Sequence, residues 1–268
     1  MPHVCFSLDS KGIWLIIYHL KVKQGMISFM PAIVTQNLTK QYGKLEALSD
    51  LCIEVAEGES FCLLGPNGAG KSTTIGVLTG SLEPTSGTAN VMGIDVAKDP
   101  IGVKKAVGIV PESEYPPSFL TVREYLDLVC SIRNVSDHAS RIDHWIEFFD
   151  LGQKQDVLCK DLSKGTKKKV IVSAALVHEP KLLFLDEPFL DLDPIVQHAM
   201  KDYLRSYVKE GGTVFLSTHI LEIAEKLCDR AGILYDGRLI ACGKLSELKK
   251  SRESLEDVFM RLVQEECA

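Results

Sequence analysis

The chain has no apolar run long enough to cross a bilayer, for which about 20 residues are needed. The longest early run, Ile13 to Leu20, is flanked by Lys11, Lys21 and Lys23 and is followed by no small-residue cleavage site. It therefore reads neither as a membrane span nor as a secretory signal. Met26 and Met30 sit just before the first well-patterned segment, so residues 1–30 are expected to be an extension whose start codon is assigned too early. Cysteine pairing motifs are also missing. The eight cysteines include no C-x-x-C pair and no zinc-type spacing, which excludes a disulfide scaffold and a zinc ribbon and leaves reduced, mostly buried thiols. Positive charge is not in excess either: 30 Lys and Arg stand against 36 Asp and Glu, a net charge of -6. Nucleic acid is thus not expected as the main partner, because phosphate-backbone binding needs a basic footprint. Internal repeats and low-complexity tracts are absent. If the protein works at a membrane, another chain must supply the membrane part.

What is present is an alternation of strand and helix signals. Ala32 to Leu38 is strand-like and leads to an expected turn around Gln41-Tyr42-Gly43; Leu51 to Val55 and Ser60 to Leu64 follow as strands. Phe61-Cys62-Leu63-Leu64 is short, apolar and stops at a glycine, the pattern of a buried strand. Residues 72–79 suit a helix. Thr121-Val122-Arg123-Glu124 fits a capping box ahead of apolar residues at helical spacing. Further helices are expected over about 140–149 and 164–177, so that residues 112–165 or so form a helical insert. Lys181 to Leu185 and Thr213 to Ser217 read as strands covered on both faces, joined by a helix over about 196–209. Asp236-Gly237 between two apolar triplets signals a hairpin.

Gly65-Pro66-Asn67-Gly68-Ala69-Gly70-Lys71-Ser72 matches G-x-x-x-x-G-K-[ST] and lies between the buried strand and the helix that such a loop requires. Its glycines allow successive N–H groups to turn around a phosphate at the positive end of the helix dipole. Lys71 is expected on the β- and γ-phosphates, and Ser72, followed by Thr73, offers its hydroxyl to Mg²⁺. The apolar strand ending Leu185-Asp186-Glu187 would hold Asp186 at the sheet edge as a Mg²⁺ ligand, and Glu187 next to the γ-phosphate to polarise water. His219, just after a second buried strand, is either a surface residue at the start of a helix or a γ-phosphate sensor. ATP and Mg²⁺ are the implied ligands, and the guanine-reading Asn-Lys-x-Asp of P-loop GTPases does not occur.

Over residues 32–260 the chain resembles the ATP-binding subunits of ABC transporters. Leu162-Ser163-Lys164-Gly165-Thr166 is similar to the family signature Leu-Ser-Gly-Gly-Gln, and the ending Ser254-Leu255-Glu256-Asp257-Val258-Phe259 to the ABC-2 type exporters. The resemblance implies an α/β P-loop NTPase (RecA-like) core with an N-terminal antiparallel β subdomain and an inserted α-helical subdomain. It implies an ATPase domain over 31–260, then a tail over 261–268. Tyr42 would stack on adenine. Glu112 stands where the family usually has a glutamine, and would be a further Mg²⁺ ligand. Leu192-Asp193-Pro194 looks like the loop that crosses between subunits. Ser163 and Gly165 would cap the γ-phosphate bound to a second ATPase subunit. Lys164 and Thr166 depart from the signature. Lys164, with Lys167, Lys168 and Lys169, either attracts phosphate or forms a solvated helix face. The expected function is the ATP-hydrolysing motor of an exporter, held at the cytoplasmic face of the membrane by a separate permease. The alternatives are a soluble ABC ATPase or a degenerate ATP-binding partner subunit.

Overall fold

Apolar alternation within the central strands sets the architecture. In β4 (Ser60–Leu64), Cys62 and Leu64 point into one hydrophobic cluster and Phe61 and Leu63 into another. In β8 (Leu182–Asp186), Leu183 and Leu185 part from Leu182 and Phe184 in the same way. In β9 (Thr213–Thr218), Val214 and Leu216 part from Phe215. A strand that is apolar at every position must be covered on both faces, because successive side chains point to opposite sides.

The computed structural model describes residues 31–113, 115–249 and 253–266. The expected extension at 1–30 and the last two residues of the expected tail lie outside them. A six-stranded sheet runs in the order β11-β10-β4-β9-β8-β7, with β7 at Val107–Val110, β10 at Arg230–Tyr235 and β11 at Arg238–Lys244. All neighbours are parallel except the hairpin β10–β11, whose Asp236 and Gly237 both have positive φ (46° and 76°), as its two-residue turn demands. A second, antiparallel sheet joins β1 (Pro31–Tyr42), β2 (Leu45–Leu51), β3 (Glu54–Ala56), β5 (Ser86–Val91) and β6 (Ile94–Asp95). Its apolar face shares a cluster with α1 (Lys71–Leu78).

Two expectations fail here. The turn expected at 41–43 lies one residue later, because Tyr42 still pairs with Leu45 and Gln41 with Glu46; only Gly43 (φ 60°) turns the chain. The strand expected over Leu51 to Val55 is broken at Cys52 and Ile53, where the chain leaves β2 for β3 on another part of β1. Strand pairing overrides local turn chemistry in both places. Helix α2 (Pro100–Ala106) and strands β5 to β7 carry no clear local signal and were not foreseen.

Between β7 and β8 lie α3 (Val122–Ile132), α4 (His138–Phe148), two short 3₁₀ turns and α5 (Lys164–Leu176). The capping box is formed: Glu124 N–H donates to Thr121 Oγ1 (3.2 Å) and Thr121 N–H to Glu124 Oε2 (2.8 Å). Trp145 of α4 packs edge-on against Tyr203 of α6 (Pro194–Lys209), ring centroids 5.1 Å apart, which ties these helices to the layer over the sheet. The chain continues through α7 (Leu221–Leu227) and α8 (Leu245–Leu248) to α9 (Leu255–Glu266), which passes through position 261, the expected start of the tail.

His178 follows α5, and its Nε2 lies 3.2 Å from the Val107 carbonyl; Arg133 Nη1 donates to the same oxygen at 3.1 Å. Burial, and after it the Arg133 cation, hold His178 near pKa 4, below its usual 6.5. The folded protein therefore binds fewer protons than the unfolded chain between these values, and stability is complete above pH 6.5 and falls as pH drops towards 4. The expected loss is on the order of 2 kcal/mol after allowance for partial solvent contact. His178→Gln should flatten this part of a plot of urea midpoint against pH.

Candidate functional site

The parallel register brings four loops to one edge of the sheet. Leu64 pairs with Thr218, Asp186 with Ser217 and Val110 with Leu185, so these strands end within two residues of one another. The P-loop leaves β4 there, Pro111-Glu112 leaves β7, Glu187 leaves β8 and His219 leaves β9. The carboxyl edge of an open parallel sheet is where α/β proteins bind ligands.

A cleft of about 320 Å³ opens at this edge, lined by Tyr42, Asn67, Gly68, Gly70, Lys71, Ser72, Thr73, Glu112 and Glu187, with Leu45 and Ala47. Leu45 and Ala47 are the members that sequence reasoning missed; they enter because β2 turns back from Tyr42 and carries its side chains to the mouth. Gly65, Pro66 and Ala69 support the cleft from behind. Lys71 Nζ donates to the carbonyls of Gly65 (2.8 Å) and Pro66 (3.0 Å), and Ala69 N–H to that of Pro66 (3.2 Å). Tyr42 is half-exposed, and Lys40 Nζ sits 5.1 Å from its ring centroid, so an aromatic ligand stacking there would share the ring with this cation.

Ser72 Oγ stands 3.5 Å from Glu112 Oε2, a hydroxyl beside a carboxylate at the rim. Asp186 is buried and its Oδ1 accepts from Ser217 Oγ. These are all hard oxygen donors, the chemistry that suits Mg²⁺. Among the described residues no group of three or more His, Cys, Asp or Glu side chains is arranged to hold a metal alone. A cation here would need further oxygens, as phosphates supply.

Glu187 is buried in the left-handed backbone region (φ 44°), a strained conformation for a non-glycine residue. That backbone turns its carboxylate away from the strand direction and onto the end of β9. Oε2 accepts from Thr218 Oγ1 (2.9 Å), and Oε1 accepts from His219 N–H (2.9 Å) and lies 2.6 Å from His219 Nδ1. His219 is exposed just ahead of α7, as the surface reading has it, and is also the partner of Glu187. Ser217 and Thr218 were not singled out from the sequence, although two hydroxyls ending a buried strand ahead of a histidine were a usable sign.

Ser163 and Gly165 do not line the cleft. Ser163 caps α5, its Oγ accepting from Thr166 N–H at 3.3 Å, and is exposed. Gly165 is held to glycine by contact: a Cβ there would lie 2.6 Å from the Asp191 carbonyl. The four lysines do not behave as one cluster. Lys164 is exposed, Lys167 donates to the Lys160 carbonyl (3.1 Å), and Lys169 pairs with Asp193 (3.7 Å). Lys168 is buried, so it belongs to neither a solvated face nor a phosphate lure. Burial pushes its ammonium below the usual lysine range, opposed by the carboxylates of Asp186, Asp191, Glu112 and Glu187.

A family model described as ABC transporter matches residues 48–190. The chain belongs to the ABC transporter family. It is 40% identical over 215 residues to the Nod factor export ATP-binding protein I of Rhizobium meliloti, covering 80% of this chain and spanning 64% of that relative's length. A solved ATP-binding subunit of an ABC transporter matches 87% of this chain and 99% of its own at 32% identity and a TM-score of 0.83. A dimeric bacterial ABC transporter cassette matches 80% of this chain and 98% of its own, at 25% identity and a TM-score of 0.72. The α/β P-loop NTPase fold that the sequence implies is thus the family's own fold.

In this family member the P-loop glycines differ in what confines them. Gly68 (φ 83°) has open space where a Cβ would go, whereas at Gly70 (φ 106°) a Cβ would lie 2.5 Å from the Ala47 carbonyl and 2.9 Å from Leu48 Cδ2. Gly68→Ala is expected to cost about 1–2 kcal/mol, the left-handed penalty alone. Gly70→Ala adds a clash worth about 1–3 kcal/mol more. Urea midpoints of the two variants check the order.

Proposed function

We propose that this chain is the ATP-hydrolysing motor subunit of an ABC-type membrane exporter, with residues 31–260 as its ATPase domain and 112–165 as a helical subdomain. The observation that carries the reading is the convergence of Lys71, Ser72, Glu112 and Glu187 on one cleft, with Glu187 oriented by Thr218 and His219. Fold alone would not support a reaction; oriented side chains do.

ATP enters with its adenine against Tyr42 and its phosphates on the N–H groups of 65–73, at the positive end of α1. Lys71 exchanges its two loop carbonyls for phosphate oxygens. Ser72, Glu112 and Asp186 would hold Mg²⁺. Such an ion would supply positive charge to offset the negative charge that develops on the phosphates. Glu187 orients the attacking water and accepts its proton. The Thr218 hydroxyl and the His219 N–H limit its carboxylate to one orientation, which removes the rotational search that a free side chain would make. Ser163 and Gly165 of a second subunit, at the start of a helix, complete the γ-phosphate site in trans. ATP then favours the closed dimer and hydrolysis favours the open one, a population shift that a permease converts into transport. The dimeric cassette among the structural neighbours supports the two-subunit arrangement, and the relative named for Nod factor export supports export as the direction.

Among the described residues no helix is long and apolar enough to cross a membrane. In this reading the permease is another chain, and this subunit is peripheral on the cytoplasmic face. The chain is expected in the membrane fraction only when its permease is co-expressed; equal fractionation with and without the permease would remove the transport part of this reading.

Glu187→Gln keeps the shape and the bond from Thr218 but cannot take a proton. It is expected to lower kcat by about 10²–10⁴-fold, leave ATP affinity within about twofold, and lengthen the lifetime of the ATP-bound dimer. Steady-state turnover and size-exclusion chromatography with ATP read the two effects.

A further inference from the structure

Lys168 is the buried ammonium of α5, 7% exposed. Its Nζ donates to the carbonyl of Pro111 at 2.9 Å and to that of Glu112 at 3.4 Å. Both acceptors belong to the loop that leaves β7 and carries the Glu112 side chain to within 3.5 Å of Ser72 Oγ. A lysine can hold two carbonyls at once because its ammonium has three donors on a long stem. Lys168 lies five residues after Ser163 on one continuous helix, about 7–8 Å along its axis. That helix is also fastened on its other side. Gly165 packs against the Asp191 carbonyl, and Lys169 pairs with Asp193, so the first two turns of α5 have little freedom to move alone.

We propose that Lys168 is a positioning residue that couples the two ATP sites of the dimer, by fastening the helix that serves the partner's ATP to the loop that serves this subunit's own. The inference rests on the dimeric ATPase reading above. Ser163, at one end of the link, contacts the γ-phosphate bound by the other subunit. Glu112 and Ser72, at the other end, take the cation of this subunit's ATP. When trans contact draws the N-terminus of α5 into place, the two Lys168 hydrogen bonds draw Pro111 and Glu112 with it. Filling either site then favours the filled geometry of the other, as reciprocity of coupling requires. The link needs no contact between Lys168 and the nucleotide. A lysine acting only as filler, or only as a counter-charge for the nearby carboxylates, would leave the sites independent.

The test uses the full chain and MgATP. The parent is expected to hydrolyse ATP with a Hill coefficient above 1, approaching the limit of two sites. Lys168→Met keeps the length of the side chain and removes the donors. It is expected to bring the Hill coefficient to about 1 and lower kcat about tenfold, with MgATP affinity at protein concentrations too low for dimers unchanged within about twofold. Lys168→Gln, which keeps an amide donor without the charge, should recover a Hill coefficient above 1. A Met variant that keeps the parent's Hill coefficient overturns the proposal, as does one that loses only kcat. Hydrogen exchange on the parent gives a measurement independent of any variant. Peptides covering 107–113 and 163–169 should gain protection at the same ATP concentration, and separate midpoints overturn the coupling. A parent that hydrolyses ATP with a Hill coefficient of 1 also overturns it while leaving Glu187 as the base. A parent without ATPase activity fails the functional reading itself.

Discussion

Everything at the site depends on a register. Four parallel strands end within two residues of one level, because Val110 pairs with Leu185, Asp186 with Ser217 and Leu64 with Thr218 across β7, β8, β9 and β4. Parallel pairing is slightly weaker per residue than antiparallel pairing and survives where both faces are buried. Here the faces are buried by two separate hydrophobic clusters, one under the helices of the insert and one under the antiparallel sheet. A slip of one residue in any of these strands would exchange its two faces. It would also carry Asp186, Glu187 or His219 away from the P-loop, so the packing of the core and the geometry of the site are one constraint.

On that frame the polar groups are placed by short local bonds. Glu187 sits in a left-handed conformation, and three contacts of its carboxylate with Thr218 and His219 hold it there. Strain of this kind persists where the surroundings over-determine it. Lys71 and Lys168 are the two buried ammonium groups near the cleft, and each is held by a pair of backbone carbonyls rather than by a carboxylate. Carbonyl pairs solvate an ammonium without neutralising it, so both keep their field for what lies in front of them. Lys71 faces phosphate in the proposed function; Lys168 faces the loop of Glu112.

Four of the six described cysteines, Cys62, Cys130, Cys159 and Cys228, are buried, while Cys52 and Cys242 are exposed. Cys62 lies in β4 just ahead of the P-loop, where burial first and a hydrogen bond with Cys228 second push its thiol well above the usual range. A protonated, buried thiol behaves as a small apolar side chain, which is the role that its place in the core requires.

Several features were legible in the sequence because they are local. The P-loop is a string of backbone requirements in eight consecutive residues, the capping box at Thr121 and Glu124 is complete within four, and Asp236-Gly237 carries its own turn. The apolar runs of β4, β8 and β9 announce strands buried on both sides. Tertiary structure decided what locality cannot carry. The antiparallel pairing of Tyr42 with Leu45 moved a turn, because hydrogen bonds across strands outweighed the preference of Gln41-Tyr42-Gly43. The pairing of Glu187 with His219 joins residues 32 apart, and that of Lys168 with Pro111 residues 57 apart. No periodicity or spacing encodes such contacts. They exist only once the parallel register has closed, since that register alone brings the ends of β7, β8 and β9 beside the loop that follows β4.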